Sequence, residues 1–252
     1  MIARDTLDLS RPRRIHLLGI GGAGVGSLAR LLAARGHPVT GADAHESPKV
    51  AGLRRAGVEV WTGAGADALP PDAEAVIHSA AVPPQSAALR RARERGLAVL
   101  KYARALGLLT APRRTLAVSG THGKTTTAAL LAWTLRSAGV DAGFLVGGEV
   151  PQLGGGAHPG RSPDFVVEAC EYDRSFLHLS PAIAIVTNVE ADHLDYYRDL
   201  VEIREAFRAF AARVSELLIL HEDLRDSIGR AGGIRARVVT YGEDANAQVR
   251  LA

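Results

Sequence analysis

The sequence is poor in several residue types: among 252 residues it has one cysteine, one methionine, two tryptophans and only three lysines. A lone thiol, Cys170, excludes any disulfide within the chain and fits a reducing compartment; no residue pattern marks it as an activated nucleophile, so a buried packing role is expected. No stretch approaches the ~18–20 uncharged apolar residues that cross a bilayer, so a soluble protein without a membrane partner is expected. The opening "MIARDTLDLSRPRR" lacks the apolar core and cleavage site of an export signal, which makes the expected location cytoplasmic. The net charge of +3 is carried by arginines scattered among acids, with no basic run interleaved with aromatics, so no nucleic-acid partner is expected. Against that background of Lys49, Lys101 and Lys124, the last is conspicuous.

What the sequence does have is alternation. Short apolar runs, "RIHLLG", "HPVTGAD", "VEVW", "AVIHSA" and "AVLKY", are separated by helix-like or glycine-punctuated segments, the pattern of a parallel sheet wound with helices. Val25, Leu28, Ala29 and Leu32 fall on one helical face, and Gly36 follows where a helix ends. The pattern pauses around "GLLTAPRRT" and restarts at "TLAVSG", which sets expected domains at 1–110 and 111–252. In the second, a strand at 115–119 leads into a helix over about 124–138 with Leu131, Leu135 and Ala138 as its core stripe, and a strand follows near 142–146. The stretch "GGEVPQLGGGAHPGRSP" has six glycines and three prolines in seventeen residues, so no regular structure is expected across 147–163. Strands "DFVVE" and "AIAIVTN" come next, then a helix with Leu200, Ile203, Phe207, Phe210 and Val214 on one face, then strands "ELLILH" and "ARVVTY".

Two glycine turns carry the chemistry. Gly19, Gly21 and Gly24 satisfy G-x-G-x-x-G between a strand and a helix, and Asp43 ends the next strand 22 residues beyond Gly21. Glycines there allow close backbone approach, the helix start offers N–H groups to phosphate, and a carboxylate can accept from ribose hydroxyls. Nicotinamide dinucleotides and nucleotide-diphosphate sugars bring the same diphosphate to such a turn, so both remain open. Downstream, Gly120-Thr121-His122-Gly123-Lys124-Thr125 reads as a phosphate loop although Val118 stands where the usual first glycine falls. Backbone N–H groups can cradle phosphate, the Lys124 ammonium can reach its oxygens, and the Thr125 hydroxyl can ligate Mg²⁺. Acids close the neighbouring strands: Glu168, Glu171 and Asp173 in one segment, Glu190, Asp192 and Asp195 beside His193 in another. Glu168 with Thr125 would suffice for a nucleotide-bound Mg²⁺, and His193 could hold a second metal or a substrate oxygen.

Taken together, "HLLGIGGAGVGSLARLL", "VTGADAHES", "HSAAVP", "VSGTHGKTTTAALL", "VVEACEYDRSFLHLSP" and "TNVEADHLDYY" resemble the Mur ligase family in order and spacing over residues 14 to 220. The resemblance implies an α/β protein, with a Rossmann-like domain that holds a UDP-sugar followed by a phosphate-loop domain that binds ATP and Mg²⁺. It implies UDP-N-acetylmuramate and L-alanine as substrates and an amide bond made through an acyl phosphate. By position, Gly21, Gly22, Ala23, Gly24, Asp43 and Ser79 would contact the UDP-sugar; Gly120, Thr121, His122, Gly123, Lys124, Thr125 and Thr126 would bind ATP. Thr125, Glu168 and His193 would ligate magnesium, and Lys124, Asn188 and His193 would serve the chemistry. The family's E-A-D-E-S-D stands here as Glu168-Ala169-Cys170-Glu171-Tyr172-Asp173, which puts contacts near 170 and 172 in doubt. The family's H-N-x-x-N segment and amino-acid-recognising domain do not occur before Ala252, so the chain is expected to be the front part of such an enzyme, with little turnover alone. A nucleotide-binding subunit that needs a C-terminal fragment as partner, and an NAD-dependent oxidoreductase using Gly19–Gly24, are the competing readings; the latter leaves GTHGKTTT unexplained.

Overall fold

A computed structural model describes residues 7–250; the first six residues of the opening stretch, and the last two of the expected second domain, lie outside the described residues. The chain divides into two compact units, one running up to Leu109 and including Gly147–Pro159, the other comprising Thr110–Val146 and the chain from Gly160 onward. Among the described residues no helix is long and apolar enough to cross a membrane.

In the first unit, β1 (Ile15–Leu18), β2 (Val39–Asp43), β3 (Glu59–Thr62), β4 (Ala75–His78) and β5 (Ala98–Lys101) form a parallel sheet in the order β3-β2-β1-β4-β5. The inner strands β1 and β4 are buried at every position, as continuous apolar runs in a parallel sheet covered on both faces should be. Helix α1 (Ala23–Ala34) buries the expected Val25, Leu28, Ala29 and Leu32, with Leu31 in addition. The chain moves outward from β1 to β2 and β3, then returns to β4 on the other side of β1. A crevice therefore opens where the carboxyl ends of β1 and β4 diverge, the usual ligand position in such sheets. Helices α2 (Pro48–Arg55), α3 (Ala87–Glu94) and α4 (Tyr102–Thr110) complete the unit. The sequence reading missed α4, taking "GLLT" for a pause. Ala105, Leu106 and Leu109 bury one of its faces, and only Pro112 stops it.

The segment expected to lack regular structure contains a 3₁₀ turn at Pro151–Leu153 and a two-residue strand, β8 (Ala157–His158), which packs on α1. Leu153 is buried, and this single apolar anchor gives a glycine-rich stretch a fixed course.

The second unit comprises β6 (Arg114–Ser119), α5 (Lys124–Ser137), β7 (Gly143–Leu145), β9 (Asp164–Glu168), β10 (Ile183–Val186), α6 (Leu200–Ala211), β11 (Leu217–His221), β12 (Arg237–Gly242) and β13 (Val249–Arg250). Its strands run parallel in the order β13-β12-β11-β10-β6-β9-β7, which places β6 between β10 and β9. Helix α6 starts at an Asp199 cap that accepts from the Glu202 N–H and buries Ile203, Phe207 and Phe210, with Val214 buried just beyond its end. Phe210 stacks on Phe176 at 4.8 Å between ring centres. The stripe expected for α5 is not the one observed. Ala128 and Ala132, four residues apart, are its buried positions, while Leu131 and Leu135 are half-buried and Ala138 lies exposed past the helix end. Small residues bring this helix close to β6 and β9, and its larger side chains are left outside, including Leu130 and Trp133 at 59% and 51% exposure.

Candidate functional site

The first unit's turn is set by Asp43. Its carboxylate accepts the Gly21 N–H at 2.8 Å and the His45 N–H at 3.1 Å, so the end of β2 grips the loop that leaves β1. A Cβ on Gly21 would stand 2.9 Å from that carboxylate, and one on Gly24 would stand 2.9 Å from the Tyr102 ring, so both glycines serve close packing. Gly22 caps α1 without a side-chain bond, and the helix's first turn carries no acid of its own. A cavity of about 490 Å³ elsewhere in the chain is lined by Arg208 of α6 and by Asp226 and Arg230 of the 226–232 turn, whereas one of about 730 Å³ opens at the sheet crevice. Gly19, Gly22, Asp43 and Ser79 line the latter, as do Gln85 and Ser86. Of the residues expected to meet a UDP-sugar, Gly22, Asp43 and Ser79 are brought together there; Gly21 does not line the cavity, and Ala23 and Gly24 lie in the first turn of α1.

Three buried histidines distinguish this unit. His16, on β1, is fully buried with its Nδ1 2.9 Å from the Thr40 hydroxyl, and burial lowers its pKa to about 4. Burial also lowers those of His37 and His78.

In the second unit the loop after β6 is held from β10. Asn188 embraces the His122 peptide: its Oδ1 accepts the His122 N–H at 2.8 Å and its Nδ2 donates to the His122 carbonyl at 3.2 Å. The Asn188 carbonyl accepts the Thr121 N–H, and the Thr121 hydroxyl accepts the Glu190 N–H at 2.9 Å. Thr187 donates to the His122 carbonyl at 2.7 Å. Gly120 has φ +137°, and a Cβ there would lie 2.0 Å from the Thr187 hydroxyl, so only glycine fits this exit from the strand. The conformation needs no glycine at 118, where Val118 is a fully buried strand residue.

Side chains then converge on the loop. The Thr125 hydroxyl lies 3.0 Å from both oxygens of Glu168, which ends β9. Lys124 donates to the carbonyls of Gly120 and Thr121, at 2.5 and 3.0 Å, and to Glu171 at 3.1 Å. Gly123 caps α5 without a side-chain bond, and Thr126, in the first turn, is exposed. His193 sits in the left-handed region at φ +53°, its Nε2 3.8 Å from Glu171 and its ring edge-on to Tyr172 at 4.9 Å. No group of three or more histidine, cysteine or acidic side chains among the described residues forms a ready metal cluster. Two oxygen donors, Thr125 and Glu168, fit a Mg²⁺ that completes its shell with water and phosphate; His193 stands by Glu171.

Glu171, which the sequence places among the strand-end acids without assigning it a role, is a participant in the site. It is 2% exposed, it is ion-paired to Lys124, and its carbonyl accepts the buried Tyr197 hydroxyl at 2.6 Å. Burial pushes the Tyr197 hydroxyl above its ordinary range, keeping it a donor. The available signal was the acid shared with the E-A-D-E-S-D pattern while its neighbours at 170 and 172 change. Cys170, expected to be buried, is exposed; desolvation of its sulfur and the neighbouring Glu171 carboxylate raise its pKa, which keeps it a thiol.

Known proteins share both the sequence and the fold of this chain. Residues 14–114 match the Mur ligase family, catalytic domain, and residues 118–252 match the Mur ligase middle domain. The UDP-N-acetylmuramate–L-alanine ligase of Salinispora arenicola is 43% identical over 94% of this chain and 47% of its own length. That of Acidothermus cellulolyticus is 42% identical over 98% of this chain and 53% of its own. The chain thus spans about half the length of the curated relatives it matches. Among solved structures, UDP-N-acetylmuramate-alanine ligase from Thermotoga maritima superposes with a TM-score of 0.80 at 28% identity, over 91% of this chain and 52% of that one. UDP-N-acetylmuramate:L-alanyl-gamma-D-glutamyl-meso-diaminopimelate ligase from Neisseria meningitides also gives 0.80, at 29% identity over 92% and 78%. With its glycine turn, its phosphate loop and both domain matches in agreement, the chain belongs to the Mur ligase family.

Proposed function

We propose that this chain supplies the UDP-sugar and ATP sites of a cytoplasmic, ATP-dependent amide ligase of peptidoglycan precursor synthesis that joins L-alanine to UDP-N-acetylmuramate. The observation that carries this reading is the loop of the second unit, where Lys124 and the Thr125–Glu168 pair meet a helix start free of acids. The names of the relatives at 42–43% identity favour L-alanine over the tripeptide as the second substrate.

Bound MgATP would supply the γ-phosphoryl group that turns the sugar's lactyl carboxylate into an acyl phosphate, from which the alanine amine displaces phosphate to form the amide. The loop's part is positioning and charge neutralisation, which is most of what phosphoryl transfer asks of a protein. Backbone N–H groups of Gly123, Lys124 and Thr125 at the start of α5 would meet the phosphates, those of Thr121 and His122 being held by Asn188, and the Lys124 ammonium offsets charge that grows on the phosphoryl oxygens. Thr125 and Glu168 would hold Mg²⁺. Asn188 keeps the loop in shape by binding both sides of the His122 peptide, and His193 faces the reacting end beside Glu171. In the first unit, the Gly21–Gly24 turn and Ser79 receive the diphosphate, while Asp43 holds the turn in place.

Titration of the 252-residue chain with MgATP, UDP-N-acetylmuramate and NADH tests the reading. Binding of the first two and not the third is expected, with little alanine-dependent ADP release from this chain alone. Tight NADH binding without binding of either other ligand would overturn it.

A further inference from the structure

The ammonium of Lys124 has three N–H donors, and each has an acceptor inside the protein: the carbonyls of Gly120 and Thr121, and the carboxylate of Glu171. A phosphate oxygen can therefore bond to Lys124 only by displacing one of the three. The carbonyls belong to the loop that Asn188 and Thr187 pin in place. Glu171 is the exchangeable partner, and at 3% side-chain exposure it cannot turn to water when it gives Lys124 up. Among the described residues, the other basic group beside its carboxylate is His193, at 3.8 Å. Its backbone is tied down separately through the Tyr197 hydroxyl.

We infer that Glu171 is a positioning residue that aims Lys124 into the phosphate loop and competes with the incoming phosphate for it, so that its charge sets how tightly the loop holds nucleotide. This rests on the ATP reading above. A buried carboxylate within 3.0–3.1 Å of the ammonium also stands close to any phosphate that ammonium reaches, and like charges side by side oppose binding. Neutralising Glu171 should then tighten binding, whereas a residue that merely supports the fold would weaken it when changed.

The experiment is isothermal titration of the 252-residue chain with MgATP. Glu171→Gln is expected to lower Kd about five- to tenfold, as removal of a like-charge contact would, and Glu171→Asp to stay near wild type. Unchanged or weaker binding in a folded Glu171→Gln protein would overturn the inference. If wild type binds no MgATP, the ATP reading falls and takes this inference with it. A second measurement needs no variant at 171. With only three lysines, ¹⁵N labelling of lysine gives three ammonium signals, and Lys124→Arg identifies the one at issue. Slow exchange of the Lys124 ammonium with water, with a shift of its signal when MgATP replaces Glu171 as its third acceptor, is expected; exchange as fast as that of the exposed Lys49 would overturn the inference.

Discussion

The glycine turn of the first unit and the phosphate loop of the second start alike. Each follows a buried parallel strand and opens a helix whose cap is a glycine and whose first turn carries no acid. They differ in what faces the turn. At the first, a single carboxylate, Asp43, is engaged with backbone N–H groups of the turn and of His45. At the second, a lysine and two acids, Glu168 and Glu171, converge on the loop from neighbouring segments. Backbone donors suffice to hold a diphosphate that undergoes no change, whereas a phosphate group that is transferred requires mobile charge and a metal. On the function proposed above, the same local device would serve binding in one unit and chemistry in the other.

The difference can be pressed first at the glycines. Gly120→Ala places a Cβ 2.0 Å from the Thr187 hydroxyl and 3.1 Å from the Asn188 backbone at φ +137°, and it should cost about 3 kcal/mol or more. Gly36→Ala, also at positive φ but with open space around the new Cβ, should cost about 1–2 kcal/mol. Urea unfolding followed by tryptophan fluorescence reads each, because Trp61 lies in the first unit and Trp133 in the second. Equal losses would mean that the loop tolerates a side chain that the geometry forbids.

Acid separates the units next. The folded-state pKa of His16 lies near 4 against 6.5 when unfolded, so between those values the unfolded state binds a proton that the folded state refuses. Stability of the first unit should therefore fall as pH drops from about 6.5 toward 4 and level off below, losing up to about 3 kcal/mol from His16. His37 and His78 act in the same direction. In a Trp133→Phe background, Trp61, 5.8 Å from the His16 ring, reports that loss, and a flat profile would show that His16 is not buried neutral. The smallest effect should come from Asp43→Ala, which frees two backbone N–H groups at a cost of about 1 kcal/mol. It should weaken UDP-N-acetylmuramate binding in calorimetry and leave MgATP binding unchanged.

The first unit's parallel sheet and most strands were legible, because apolar runs such as "IHLL" and "AVIH" between glycine turns have few other uses. The α5 stripe was misread for a physical reason: periodicity favours the larger leucines, whereas close approach to a sheet is made by alanines, here Ala128 and Ala132. Helix α4 was hidden by its own shortness and the proline two residues beyond it. At the site, Lys124, Thr125 and Glu168 could be read from spacing, since each is local to a strand end. Glu171 could not, because its role depends on a buried contact with Lys124, 47 residues away, and sequence gives no measure of burial for a lone acid.

The most direct test of two turns with two separate tasks is a pair of titrations on Lys124→Ala. Loss of about 1.5–3 kcal/mol of MgATP affinity, as when a hydrogen bond from a charged group is removed, with UDP-N-acetylmuramate affinity unchanged, is the expected result. Equal weakening of both ligands, or of neither, would contradict the account.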